Sequence, residues 1–441
     1  MPNSPKPAGG QGRRDPRMAF RDQSHAAAHA AARRAPRSVI PDHPSIPQDQ
    51  PQLINSPTEL ADLVAHVREA GHFAYDSEFI GERSYYPKLC LIQICTIRRI
   101  ALVDPLRGLD LEPIWQLIAD PRVLKIVHAG EQDLEPCLRL TGRLPANVFD
   151  TQIACGFIGL AYPSALSKLV RQLLGVQLGK GLTFTHWDHR PLSDVQLAYA
   201  ADDVRYLPAL HERIVQRLDE MGNRQWAMEE CASLCEVEAY ERGGLAAHLR
   251  LRGAGELLPR NAAVLRELYQ WRQEAARRHD TPPRAYLKDS ILVDMARQPP
   301  TELADLDRVR GLPRPVEQAE GPAILDAVRR GLAIPLEEPP PTPTEETPAE
   351  RFMTDACWAM VQTWAFGRGI DASLVGTRGD VADFCRAWRE GRVDEQSWLM
   401  RGWRGQLLGP SLLAMLRGEG ELRVRCHQGA LRCELSPRVA G

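Results

Sequence analysis

Alternation and helical spacing divide the chain before any residue is given a task. After Thr58, the residues Leu60, Leu63, Val64 and Val67 recur at helical spacing. Three strand-like runs come in quick succession, at 72–79, 89–96 and 99–103. Connections this short favour antiparallel pairing, because a parallel crossover needs a dozen or more residues. Beyond them the pattern gives a helix near 111–119, a strand at 124–128, a helix from 131, a short strand at 147–149 and more helix. Three hairpin-connected strands followed by strands alternating with helices predict an α/β unit, a mixed sheet flanked by helices, over 51–245.

The rest of the chain changes character. Residues 250–335 are helical in pattern, and 336–350 are a Pro-rich, acidic linker with an extended bias. A second helical segment takes 351–420. Residues 421–441 hold an alternating pair, Leu422-Val424-Cys426 and Leu431-Cys433-Leu435 around Gly429. That pair predicts a hairpin with Arg423, Arg425 and Arg432 on the face away from the apolar residues. Residues 1–50 are rich in Pro, Ala and Arg with little periodic signal, and are expected to be a disordered extension.

A length of 441 residues suits two to four domains, and 44% hydrophobic with 25% charged residues supplies real cores. The net charge of −2 argues against a protein held to nucleic acid by bulk positive charge, so any basic surface must be local. Only six of the 55 basic residues are Lys. Arg forms forked bonds to phosphate, but genome composition alone also produces Arg richness. No apolar run approaches the roughly 18 residues of a membrane span, and the N-terminus lacks the apolar core of a secretory signal. The ten cysteines include no C-x-x-C pair, and Cys90, Cys95, Cys137 and Cys155 sit in apolar runs. They read as buried thiols of a reducing compartment, and Cys231-x3-Cys235 lacks the second pair a zinc site would need. The expectation is a soluble, cytoplasmic, multidomain protein.

Three constellations carry candidate chemistry. In His72-Phe-Ala-Tyr-Asp-Ser-Glu-Phe79, strand alternation puts Phe73, Tyr75 and Phe79 on one face and Ala74, Asp76 and Glu78 on the other. Two neighbouring anions repel unless something positive lies between them, and a divalent cation would supply that charge. A solvated strand face is the plainer reading of Asp-x-Glu alone. In Lys125-Ile-Val-His-Ala-Gly-Glu-Gln-Asp-Leu134, Asp133 falls in the first turn of a helix, where acids are common because that end is partly positive. It also lies at the carboxyl end of a strand, where open α/β sheets bind ligands. In Ser193-Asp-Val-Gln-Leu-Ala-Tyr-Ala-Ala-Asp-Asp-Val-Arg-Tyr-Leu207, an S-x-x-Q capping box fixes the helix start. Leu197, Ala200, Ala201, Val204 and Leu207 then form the apolar stripe, with Tyr199 and Asp203 together beside it. Asp202 points nearly opposite, toward water. A core-edge Tyr near a solvated Asp is the plainer alternative.

Taken in order, the three pieces resemble the DEDD family of 3′–5′ exonucleases, in the subgroup with a Tyr in the last motif, and within it the ribonuclease D family. Asp76-Ser77-Glu78 with Tyr86-Pro-Lys-Leu-Cys-Leu-Ile-Gln-Ile94 is similar to the first motif and its next strand. His128-Ala-Gly-Glu-Gln-Asp133-Leu resembles the second, and Tyr199-Ala-Ala-Asp-Asp203 the third, preceded by Trp187-Asp-His-Arg-Pro-Leu192. Asp202 departs from the family's usual residue before the final Asp. Downstream, Leu265-x2-Leu268-x2-Trp271-Arg272 and Tyr286-Leu-Lys-Asp-Ser-Ile-Leu292 resemble an HRDC domain, and Leu399-Met-Arg-Gly-Trp-Arg404 through Gly418 a second, more divergent HRDC-like helical part. The resemblance covers about 55–420.

It implies a ribonuclease H-like fold followed by all-α HRDC-type domains, and hydrolysis from an RNA 3′ end to release nucleoside 5′-monophosphates, transfer-RNA precursors being the implied substrates. It also implies that Asp76, Glu78, Asp133 and Asp203 bind two divalent cations, Mg²⁺ or Mn²⁺, which hard oxygen ligands suit. Such a pair, about 3.5–4 Å apart, activates the attacking water and stabilises the leaving oxygen. Tyr199 would orient that water, its ordinary pKa of about 10 making it a poor base. Arg272, Arg277, Arg278, Arg284 and Lys288 are the candidate RNA contacts of the HRDC-like part, and a monomer is expected. Two rivals stand beside this reading: a DNA exonuclease with the same site, since no residue here identifies a 2′-hydroxyl contact, and a catalytically silent RNA-binding scaffold on the same fold.

Overall fold

The structure is a computed structural model and describes residues 40–81, 83–179, 186–240, 247–335, 346–394, 397–427 and 430–437. Residues 1–39 of the expected extension, 336–345 of the linker and Gly429 lie outside the described residues. Among the described residues no helix is long and apolar enough to cross a membrane.

Six strands form one sheet: β1 (Gln52–Ile54), β2 (His72–Ile80), β3 (Lys88–Thr96), β4 (Arg99–Val103), β5 (Leu124–Val127) and β6 (Val148–Asp150), in the order β1-β4-β3-β2-β5-β6. The three hairpin-connected strands pair antiparallel, and β5 joins β2, and β6 joins β5, in parallel. The sheet is mixed and flanked by helices, as the pattern predicts. β1, parallel to β4, is an addition, since three residues are too short to carry a period. The first helix, α1 (Pro57–Ala70), starts a residue before Thr58 because Ser56 and Glu59 close a capping box. It is followed by α2 (Glu112–Ala119), α3 (Glu131–Thr141), α4 (Thr151–Cys155), α5 (Leu166–Leu174), α6 (Asp194–Arg205), α7 (Leu207–Met221) and α8 (Arg224–Ala232).

Two cores sandwich the sheet. Phe73, Tyr75, Ile92, Ile94 and Val127 pack with α1, α2 and α3 on one face. Ala74, Cys95, Ile100 and Ile126 pack with α4, α5 and α7 on the other. The β2–β3 register slips at Glu78/Phe79, where Glu78 faces Leu91 but Phe79 faces Leu89, a bulge with Cys90 of β3 as the extra residue. Phe79 lines a cleft together with Tyr75 and Ser77, and its partner Leu89 packs against the core of Phe73 and Tyr75, so alternation in β2 holds.

Residues 40–50 correct the expectation of a disordered extension reaching to 50. Ile46 is buried, the Ser45 hydroxyl donates to Glu212 (2.5 Å), and the Arg205 guanidinium donates to the Pro47 carbonyl and to that of Asp49 (3.2 Å).

The helical region splits by its cores. Helices α9 (Pro259–Arg278), α10 (Asp289–Arg297) and α11 (Arg314–Ala333) close around Leu265, Leu268, Trp271, Leu292 and Ile324, a core of their own. By contrast α12 (Pro348–Gly367), α13 (Arg378–Arg389), α14 (Gly402–Leu407) and α15 (Gly409–Leu416) put Val361, Trp364, Phe384, Trp403 and Leu412 into the same core as Phe157, Leu207 and Ala227. Trp403 stacks edge-on to Phe157 at 5.2 Å, and its indole N–H donates to Glu230 (2.8 Å). The final hairpin, β7 (Gly420–His427) with β8 (Ala430–Pro437), is antiparallel, with Leu422 opposite Leu435 and Arg425 opposite Arg432.

Candidate active site

The site is assembled from three elements that the sheet brings together. β2 presents Asp76 and Glu78 on the face over which α6 packs. Ser193 and Gln196 cap α6 reciprocally, and its buried Ala200, Ala201 and Val204 lay it against the sheet, so that Tyr199 and Asp203 overhang β2. The carboxylates of Asp76, Glu78 and Asp203 each offer an oxygen within 4.8 Å of the others.

Asp133 arrives from the other side. β5 pairs with β2 only as far as Ala74, so from Tyr75 onward the edge of β2 is open to the start of α3. The turn into α3 is tight. Ala129 has φ of 56°, and a Cβ on Gly130 would sit 2.5 Å from the Val127 side chain. The Asp150 carboxylate pins that turn by accepting from the amides of Ala129 (3.1 Å) and Gly130 (3.0 Å). Asp133 then faces the same cleft, beside the close trio, and accepts a hydrogen bond from the Ser77 hydroxyl at 2.6 Å. The cleft has a volume of about 550 Å³ and is lined also by Phe79, His128, Gln132, Leu166 and Leu207.

The electrostatics show a place short of positive charge. Burial pushes the Asp76 carboxyl well above the usual carboxylate range, and Asp133, Asp203 and Glu78 push it further. Glu78 is raised to about 8 by burial and by Asp203 and Asp133. Burial also raises Asp203, with Asp202 adding to it, and raises Asp133 against the opposing pull of the Ser77 hydroxyl. Burial and the nearby carboxylates raise the Tyr199 phenol too, so it stays protonated and donates to Asp203. Hard oxygen donors that repel one another in a buried cleft fit a divalent cation, which removes the repulsion.

The sequence pairing of Tyr199 with Asp203 and the facing of Asp76 with Glu78 appear in this geometry. Sequence reasoning misses Ser77, because alternation sends it to the opposite face, and nothing in the sequence says that Asp133 would meet it there. Asp202 is a correction. It is only partly open to water, at 27% exposed, and pairs with the buried Arg205, Nε to Oδ1 3.4 Å, the arginine that holds residues 47–49.

Among the basic candidates, Arg272 is also a correction. It is 2% exposed, donates to the Leu287 carbonyl (2.9 Å) and to Asp289 (2.7 Å), and cannot present its guanidinium to a phosphate. Arg278 is paired with Glu320 and Arg284 with Asp289, both at the surface. Arg277 and Lys288 are exposed, with no ion pair among the described residues. None of the five lines the cleft. The helical part does touch its neighbourhood: Asp280, just after α9, accepts from the amide of Tyr85 (3.1 Å) in the loop beyond Glu78.

Comparison with known proteins decides the family. Residues 51–219 match the model of a 3′-5′ exonuclease, and 261–328 that of an HRDC domain. The chain is 31% identical to ribonuclease D of Bartonella henselae over 83% of its own length and 90% of that protein. It is 33% identical to ribonuclease D of Pseudomonas paraeruginosa, covering 83% of this chain and 97% of the other. The chain belongs to the ribonuclease D family. A solved structure of Escherichia coli RNase D, described as an exoribonuclease involved in structured RNA processing, superposes with a TM-score of 0.71 at 29% identity over 84% of this chain and 99% of that one. The ribonuclease D family belongs to the metal-dependent DEDD exonucleases, and in the cleft Asp76, Glu78 and Asp203 form a group that could hold a metal.

Proposed function

We propose that this ribonuclease D family member removes nucleotides from a free RNA 3′ end at the cleft between β2, α3 and α6, releasing nucleoside 5′-monophosphates. The observation that carries the assignment to this cleft is the convergence of Asp76, Glu78 and Asp203, from a strand and a helix far apart in sequence, within 4.8 Å. Asp76, Glu78 and Asp203, with Asp133 from the opposite wall, would hold two divalent cations, Mg²⁺ or Mn²⁺. When bound, these supply charge for the attacking and departing oxygens of a phosphodiester. The chain's own residues do the rest. Tyr199, protonated and tied to Asp203, is placed to orient a water at the scissile phosphate and not to take its proton. Phe79, Leu166 and Leu207 give the terminal nucleotide an apolar wall. Ser77 restrains Asp133 by donating to its carboxylate. Transfer-RNA precursors as substrates, a monomeric state and a cytoplasmic location belong to the same proposal. The last is supported by eight free cysteines among the described residues, seven of them buried.

A single-turnover assay on end-labelled RNA and DNA strands, with Mg²⁺ and with chelator, tests this reading. The expected result is stepwise shortening of RNA from the 3′ end, 5′-monophosphate products, weaker action on DNA and none with chelator. Undiminished activity in excess chelator, or cleavage of a circular RNA, overturns it.

A further inference from the structure

The approach to α6 runs His186-Trp187-Asp188-His189-Arg190 as a strap anchored at two points. Trp187 is buried against Leu91, Leu102, Leu192 and Ala200. The Arg190 guanidinium donates to both oxygens of Asp104 (2.7 and 2.6 Å) and to the carbonyls of Cys90, Trp187 and His189 (2.7, 2.6 and 2.7 Å). Anchors three residues apart leave Asp188 and His189 little freedom. On this strap His186, Asp188 and His189 each offer a ligand atom, all within 4.8 Å of one another. The two imidazoles lie parallel, centroids 4.7 Å apart and planes at 12°. Asp188 Oδ1 is turned inward, shielded from solvent with no hydrogen-bond donor among the described residues, and lies 4.0 Å from His189 Nε2. A shielded carboxylate oxygen without a donor is costly, and an ion shared with the two imidazoles removes that cost.

We propose that His186, Asp188 and His189 form a second metal site, for an ion of the Zn²⁺ class, separate from the carboxylate cluster. The donor set sets the class. Two imidazoles and one carboxylate favour Zn²⁺, Cu²⁺ or Ni²⁺, whereas the all-oxygen cluster in the cleft suits Mg²⁺ and Mn²⁺. Bonds of about 2.0–2.1 Å place tetrahedral ligand atoms roughly 3.3 Å apart, so the imidazoles, both on exposed residues, swing inward on their side-chain torsions. Three protein ligands leave a fourth position to water. The site backs onto the cleft. The Trp187 ring is 6.3 Å from that of Tyr199, and Gln196, in the first turn of α6, donates to the His186 carbonyl (3.5 Å). An ion here fastens the strap on which Tyr199 rests. The assignment stands on the strap alone and does not depend on the exonuclease reading.

The test uses the full chain as Asp76→Asn/Asp203→Asn, to weaken the cleft for metal, with and without His186→Gln/His189→Gln. The wild-type chain with and without the histidine pair is run in parallel. Zn²⁺ binding is measured by equilibrium dialysis, and bound Cu²⁺ by electron paramagnetic resonance. The expected result is that both histidine-intact proteins bind one more equivalent of Zn²⁺ than their His→Gln counterparts, with at least tenfold loss of affinity for that equivalent. Cu²⁺ on the intact strap shows nitrogen hyperfine splitting, which carboxylates cannot produce. Equal Zn²⁺ binding with and without the histidines, or a Cu²⁺ spectrum unchanged by their removal, overturns the proposal.

Discussion

The hydroxyl of Ser77 donates to Oδ1 of Asp133 at 2.6 Å, joining a strand and a helix 56 residues apart in sequence. The bond spans the open edge of β2, where β5 has stopped pairing, and it opposes the burial that raises the Asp133 carboxyl. Ser77→Ala removes the donor and leaves Asp133 free to turn. A hydrogen bond to a charged group is worth about 1.5–3 kcal/mol, so kcat should fall by roughly tenfold or more and the Mg²⁺ requirement should rise. Ser77→Thr keeps the donor and should keep most of the rate. A Mg²⁺ titration of kcat for the two variants checks this, and identical curves would show that the bond has no part in the site.

The adjacent aspartates separate chemistry from stability. Asp203→Asn removes a charge from the close trio and should abolish turnover. Asp202→Asn instead loosens Arg205, whose other bonds hold residues 47–49, and should lower Tm by several degrees while leaving kcat nearly unchanged at low temperature. Paired thermal melts and rates give the answer, and equal loss of rate in both variants would contradict the placement.

The raised carboxyls set a sign for pH. In the metal-free protein Glu78 holds its proton up to about 8, whereas an unfolded Glu releases it near 4.5. The folded state thus binds more protons, and stability falls as pH climbs between those values. Divalent metal repays more as the carboxylates ionise, so the rise in Tm on adding Mg²⁺ should be larger at pH 8 than at pH 5. A shift that shrinks with pH would mean that these groups do not meet the ion.

The helical half divides differently from its sequence pattern. Helical periodicity shows that α14 has an apolar face but not which surface receives it. Trp403 packs on Phe157 and bonds Glu230, so the stretch beyond the linker completes the nuclease core. Trp403→Ala should cost about 3–5 kcal/mol, and truncation after the linker should expose that core and bring aggregation. A truncated chain with an unchanged Tm would count against the shared core.

Range decides how much of this is legible in the sequence. The strand-like runs at 72–79, 89–96 and 99–103 are enough for three antiparallel strands, and the capping box and apolar stripe of α6 are enough to set Tyr199 and Asp203 on one side. These are local periods. The register slip at Glu78/Phe79 is not legible, because the extra residue, Cys90 on β3, leaves no mark in composition. The meeting of Ser77 with Asp133, the partner of Asp202 and the burial of Arg272 all depend on distant elements, which no window of sequence contains.

The last prediction concerns how the HRDC-like helices meet RNA. Their arginines are not equivalent. Arg272 is 2% exposed, so Arg272→Ala removes its buried bonds to the Leu287 carbonyl and to Asp289, leaves Asp289 with Arg284 alone, and should destabilise by about 1–3 kcal/mol. Its effect on RNA would then be indirect. Arg277 and Lys288 are exposed and carry no ion pair among the described residues, so their guanidinium and ammonium groups are available to a phosphate. Arg278 and Arg284 must first leave Glu320 and Asp289. The turn after α9 contacts the loop beyond Glu78, which ties this part of the bundle to the strand that carries two of the cleft's carboxylates. Each phosphate contact on a single strand contributes roughly −0.7 to the slope of log affinity against log salt. Arg277→Ala/Lys288→Ala should therefore keep the wild-type Tm, flatten the slope by about 1.4 and raise KM on a long RNA, with kcat on a short oligonucleotide little changed. RNA affinity measured across a salt series decides it. A slope equal to that of the wild type would leave these helices with a packing task alone.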